Sequence, residues 1–144
     1  DHPNDHGGLT KFGITIPFLS EFLHRPATAD DINNLSLETA ELAYKILIWD
    51  RHKLNFLPDN VGHFMFDWIV NSGPTVPIKA LQKLLGIKED GVLGPMTIAG
   101  LKPGWALMKD LVDARMNFLI RICEKNKTQI VFLRGWYRRV MSFR

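Results

Sequence analysis

The first fifteen residues, DHPNDHGGLTKFGIT, gather the side chains best suited to chemistry: Asp1, His2, Asp5, His6 and Thr10, set among Gly7, Gly8 and Gly13. Imidazole with carboxylate is a common zinc donor set. A metal needs further ligands held at fixed spacing, and nothing else in the chain supplies a convincing one, so no metal and no other cofactor is expected. Little of this stretch suits a hydrophobic core. Paired glycines let the backbone take positive φ or approach a ligand closely, and Asp and Asn beside them favour tight turns. A polar, glycine-bent loop running into Phe12, Ile14, Ile16, Phe18 and Leu19 fits a site mounted on a scaffold, and fits an ordinary N-terminal turn as well.

The elements that would position this loop read as helices. An apolar segment from Pro17 to Pro26 breaks near Arg25, because the residue before a proline avoids the helical region. Asp30 and Asp31 open a short helical turn. Ser36 then N-caps a helix over 37–52, with Glu38 against the macrodipole. Apolar residues on more than one side predict that this helix is central and heavily buried.

Pro58 and Asp59 open the next helix and Gly73 closes it, with Val61, Phe64, Met65, Trp68 and Ile69 on one apolar face. His63, Asp67 and Asn71 line another face, either solvated or one wall of a substrate cleft. Pro74 and Pro77 mark a boundary between lobes. A helix through Ile78, Leu81 and Leu85 ends at Gly86, Asp90-Gly91 forms a turn, and Gly94-Pro95 starts a helix that runs on to Pro103. Two longer helices, about 105–123 and 128–142, finish the chain. Their stripes are Met108, Leu111, Val112, Leu119 and Ile122, then Phe132, Leu133, Trp136, Tyr137 and Val140. The fold class is all-α, with at most a small hairpin near Phe12 to Ile16.

At 144 residues, 46% hydrophobic and 23% charged, the chain suits a globular domain with a sizeable core. A net charge of +3 suits an anionic partner, either cell-wall polymer or nucleic acid. Cys123 has no second cysteine to pair with and reads as a small buried hydrophobe. No run is long enough to span a bilayer, and no signal peptide is visible.

The opening segment resembles the signature of glycoside hydrolase family 108, the lysozyme-like N-acetylmuramidases of phages, prophages and bacterial secretion activator proteins. The matching positions are Pro3, Asp5, Gly7, Gly8, Thr10, Gly13, Ile14 and Thr15. The family's Glu-Gly-Gly-Tyr segment, with its catalytic glutamate, would lie just before Asp1. Without an initial Met the chain reads as a trimmed piece, inactive by itself if that glutamate is truly absent. LQKLLGIKEDGVLGPMTIAGL resembles a peptidoglycan-binding repeat through Leu81, Gln82, Leu85, Gly86, Asp90, Gly91, Gly94, Pro95 and Thr97. FDWIVNSG (66–73) and FLRGWYRRV (132–140) are similar to the joining and closing segments of the same family.

The resemblance implies a lysozyme-like helical fold in two lobes: a catalytic lobe over 1–73 and a peptidoglycan-binding lobe over 74–144, packed into one compact unit. It implies a hydrolase cutting the β-1,4 bond between N-acetylmuramic acid and N-acetylglucosamine. Such cleavage needs an acid of raised pKa and a second group that activates water or steadies the cationic transition state. The upstream glutamate takes the first role. Asp5 is the candidate for the second, and Thr10 for holding the water. Gly7, Gly8, Asp67 and Asn71 are candidate substrate contacts. Gln82, Asp90, Gly91, Gly94 and Thr97 form the peptidoglycan-binding motif, although each also has a plain role in a turn, Thr97 by bonding back within its own first turn. Glu21 is a rival second carboxylate, better read as the exposed edge of an apolar segment.

The expected partner is the glycan strand of peptidoglycan, met in the bacterial periplasm or wall after export or phage-type release, by a chain that is monomeric and not membrane-spanning. The alternative is a non-catalytic wall-binding or secretion-accessory module. Nucleic acid is not expected: Arg134, Arg138, Arg139 and Arg144 interleave with aromatic residues whose spacing turns them inward, leaving a solvated basic face.

Overall fold

Two consecutive residues with positive φ, Phe12 at 54° and Gly13 at 79°, start the fold. That pair makes the two-residue turn whose twist matches antiparallel strands. It joins β1 (Thr10–Lys11) to β2 (Ile14–Thr15), with Thr10 opposite Thr15 and Lys11 opposite Ile14. The computed structural model describes residues 8–101 and 105–143. Their secondary structure is helical apart from this hairpin, and they belong to two compact units, Asp1–Arg51 and His52–Arg144.

In the first unit, Thr15 caps α1 (Ile16–Leu23), its hydroxyl accepting from the Phe18 N–H at 3.2 Å. His24 closes that helix in the left-handed region, and Ser20 fastens the exit by accepting the Ala27 N–H at 2.8 Å. Thr28 and Asp31 form a reciprocal capping box at the start of α2 (Ala29–Asn33). Ser36 caps α3 (Leu37–Tyr44). Ile14, Leu19, Ile32, Leu35, Ala40 and Ala43 form the core, with Phe18 and Tyr44 packed against it.

The segment 37–52 departs from the single buried helix expected of it. After Tyr44 the backbone widens into π-helical turns over Lys45–Asp50. Ala40, Ala43, Leu47 and Ile48 are buried, whereas Leu37, Leu42 and Ile46 are exposed by 55%, 48% and 45%. A helix covered on one side buries one stripe, and the apolar residues on its other side stay in solvent.

In the second unit, a short 3₁₀ turn at Leu54–Phe56 leads into α4 (Asp59–Ser72), which ends where Gly73 takes φ 81° and donates to the Ile69 carbonyl at 2.8 Å. α4 packs with α5 (Thr75–Leu84) and α7 (Trp105–Lys125). α6 (Pro95–Ala99) follows a tight loop, and α8 (Ile130–Met141) packs along α7. Val61, Phe64, Met65, Trp68, Ile69, Ile78, Leu81, Leu111 and Val112 are buried, as is Cys123. The stripe on α8 is less buried than its spacing suggests. Val140 is fully covered, Phe132 and Trp136 are half-buried, and Tyr137 is 49% exposed, because only one edge of this last helix meets the rest of the unit.

Candidate functional site

Of the residues singled out in the opening segment, Asp1, His2, Asp5, His6 and Gly7 lie outside the described residues. The described part is the scaffold immediately after them. Gly8 and Thr10 are exposed, Thr10 on β1. The hairpin that carries Thr10 is pinned from two sides. Tyr44 Oη donates to the Phe12 carbonyl at 2.6 Å, and Lys11 Nζ donates to the Asn33 carbonyl at 2.9 Å. Position 13 has no room for a side chain: a Cβ there would stand 2.8 Å from Tyr44 Oη. The turn is thus a fixed mount for Thr10. Glu21 is exposed and paired with Arg51 at 2.6 Å, the place expected of it.

The motif over 82–97 closes on itself. Gln82 is 1% exposed, and its side-chain amide holds the whole loop. The two N–H bonds of Nε2 are shared among Asp90 Oδ1 at 2.8 Å, the Val92 carbonyl at 2.9 Å and Thr97 Oγ1 at 3.1 Å, while Oε1 accepts the Gly91 N–H at 3.0 Å. Asp90 also accepts from the Val92 N–H at 2.9 Å. That bond first, and the Gln82 amide second, hold its carboxyl below the usual carboxylate range. Gly91 supplies φ 77° for the turn, and Gly94 is the extended N-cap of α6. Thr97 bonds to Gln82 in place of the backbone of its own turn, because a buried amide 15 positions away reaches its hydroxyl. The motif residues act here on one another.

Asp67, read from sequence as part of a solvated or cleft-lining stripe, is buried at 8% exposure. Arg115 Nη1 reaches its Oδ2 at 2.8 Å, and Arg139 Nε and Nη2 reach its Oδ1 at 2.7 and 2.5 Å. One carboxylate therefore ties α4, α7 and α8 together, with both oxygens engaged by arginines. Arg115 is 3% exposed and lies 5.6 Å from the Phe64 ring centroid and 6.0 Å from that of Trp68. Burial pushes its guanidinium pKa down, against the upward pull of Asp67. Arg139 is thus an ion-pair partner as well as a member of the basic face expected on α8; Arg144 lies outside the described residues. Asn71 is exposed, with Nδ2 at 3.5 Å from Asp67 Oδ2, the limit of a hydrogen bond. His63 points elsewhere, to the Asp59 carbonyl at 2.7 Å.

Two of the cavities formed by the described residues lie in the second unit. One, of about 280 Å³, is lined by Asn71, Arg115, Trp136 and Arg139 among others. The larger, of about 510 Å³, opens between α5 and α7 over Trp68 and Phe118. The indole N–H of Trp68 and the Nε–H of Arg115 are buried without a hydrogen-bond partner among the described residues. Among those residues no cluster of His, Cys, Asp or Glu has the makings of a metal site, and no helix is long and apolar enough to cross a membrane.

The helical fold, the hairpin leading out of the polar N-terminal segment and the self-closed Gln-Asp-Gly-Thr loop define a lysozyme-like architecture carrying a wall-binding signature. The glycosyl hydrolase 108 model matches residues 1–73, and a model described as a predicted peptidoglycan domain matches residues 76–141. The chain belongs to the glycosyl hydrolase 108 family. Among solved structures it is similar to SagA of Brucella abortus, with 32% identity and a TM-score of 0.86 over 99% of this chain and 81% of that one. No curated protein matches it. Its role is therefore related to peptidoglycan, as a hydrolase or a binder.

Proposed function

We propose that the protein is an N-acetylmuramidase, a lysozyme-type peptidoglycan hydrolase that cleaves the β-1,4 bond between N-acetylmuramic acid and N-acetylglucosamine by acid/base catalysis. The observation that carries this reading is the family match over residues 1–73, which includes both Asp5 and Thr10. A glutamate upstream of Asp1 protonates the leaving oxygen. The Asp5 carboxylate orients or deprotonates the attacking water, and the Thr10 hydroxyl holds it. An exposed Thr10 on a hairpin braced by Tyr44 and Lys11 supports that role, since a water-positioning group works only when its own mount is rigid. Gly7 and Gly8 let the glycan approach the backbone. The protein acts in the bacterial periplasm or wall, reached by export or by phage-type release.

The test uses the chain extended to include the residues before Asp1. Purified wall should lose turbidity and gain new reducing ends. Asp5→Asn should lower the rate about 10²–10⁴-fold, the usual worth of a positioned acid–base group, with an unchanged melting temperature. Wall that binds the protein but is never cut, across several wall types, would convert the reading to that of a binding module.

A further inference from the structure

The cavity between α5 and α7 faces charges of both signs. Lys79 and Lys83 stand one turn apart on α5; Asp110, Asp113 and Arg121 share one face of α7. None of these five closes an ion pair or side-chain hydrogen bond among the described residues, although lysines and aspartates line one space. Opposite charges that line the same hollow without meeting leave room for a molecule carrying the complementary pair. The volume, about 510 Å³, is that of a small-ligand site. Trp68 and Phe118, with ring centroids 6.1 Å apart, offer aromatic surface there for small apolar groups.

We infer that this cavity binds the peptide stem of peptidoglycan, with Lys79 and Lys83 taking its carboxylates and Asp110 and Asp113 taking the free ammonium of its diamino acid. A bare glycan strand of neutral sugar rings would leave all five charges unanswered. An uncrosslinked stem, with carboxylates, one ammonium and alanine methyl groups, answers both signs and the aromatic surface. The inference rests on the peptidoglycan part of the proposed function and is independent of whether the glycan is cut. The self-closed motif at Gln82 takes no part, its polar groups being engaged with one another.

The test is calorimetric titration of the protein with a synthetic stem tetrapeptide capped by an acetyl group at its N-terminus, with the same capped peptide also acetylated on its side-chain amine, and with a chitooligosaccharide. The free peptide should bind, and acetylation should weaken it roughly tenfold, the scale of one charge-assisted contact. In the Asp110→Asn/Asp113→Asn variant the two peptides should bind alike. Lys79→Gln/Lys83→Gln should weaken both peptides while leaving the effect of acetylation intact. All four positions are exposed, so circular dichroism should show unchanged folding. No binding of the free peptide, an acetylation effect undiminished in the double asparagine variant, or displacement of the peptide by the sugar would overturn the assignment. Wall cleavage is followed in parallel with the chain extended to include the residues before Asp1. Stem binding without cleavage counts against the muramidase reading alone; cleavage without stem binding counts against this site alone.

Discussion

Replacing Asp67 by Asn keeps the shape of the side chain and removes the one charge shared by Arg115 and Arg139. The two arginines are not equal. Arg139 has a side chain 57% exposed and can turn to water, whereas the Arg115 side chain is 3% exposed and has nowhere to go. The cost is therefore that of stranding one buried cation, about 3–5 kcal/mol by analogy with broken buried pairs. For a chain of this length each kcal/mol lowers the melting temperature by about 3–5 °C, so the expected fall is roughly 9–25 °C. Removing the exposed partner by Arg139→Gln should cost about 1 kcal/mol or less, since solvent screens that side of the pair. The decisive variant is Asp67→Asn with Arg115→Met, which takes the stranded charge away and fills its place with an apolar chain. Thermal and urea unfolding of the parent, Asp67→Asn, Arg115→Met and the double variant measure the cycle, with Arg139→Gln as the comparison. If Asp67→Asn costs under about 1 kcal/mol, or Arg115→Met fails to restore stability in that background, burial of the cation is not what makes Asp67 necessary.

Gly13→Ala should lose about 1–3 kcal/mol, from positive φ and from a methyl placed 2.8 Å from Tyr44 Oη. Adding Tyr44→Phe should relieve the clash but not the backbone term, which equilibrium unfolding can separate. Gln82→Leu strands the Gly91 N–H and the Thr97 hydroxyl and should cost about 2–4 kcal/mol at nearly constant core volume; a loss under about 1 kcal/mol would mean that the loop holds without the amide. Asp31 has a folded-state pKa well below the usual range, held there first by the Arg25 guanidinium and then by the Thr28 N–H. Its contribution to stability is present above the unfolded carboxylate pKa and fades as pH falls through the folded value. Melting temperature should therefore fall less steeply with acidification in Asp31→Asn than in the parent, and parallel curves would refute that.

Several element ends were legible because they depend on local chemistry, although α6 stops at Ala99 and does not run on to Pro103. Pro58 and Gly73 bracket α4, Gly94 and Pro95 start α6, and Ser36 caps α3, each for reasons that act within a few residues. The hairpin was legible for the same reason. Burial was less so. The π-helical turns at Lys45–Asp50 and the exposed edge of α8 depend on which neighbours happen to cover them, and hydrophobic spacing alone does not carry that information. Arg115 was missed as a buried ion-pair residue, and a signal was there. It sits four residues after Leu111 and four before Leu119, a charge placed on an apolar stripe, and such a charge demands a buried carboxylate. Asp67, between Phe66 and Trp68, was the natural candidate. In the candidate site, Thr10 stands on β1 and Asp5 lies outside the described residues.

The Gln82 loop separates two demands on the second unit. Its recognisable residues are engaged in holding α5 to α6, so they must persist for the chain to fold whatever polymer it meets. The exposed charged side chains lining the hollow between α5 and α7 carry no such duty, and each can be exchanged without untying the loop. If the hollow binds the peptide stem, adaptation to a different wall chemistry can therefore proceed at Lys79, Lys83, Asp110 and Asp113 while the signature stays constant.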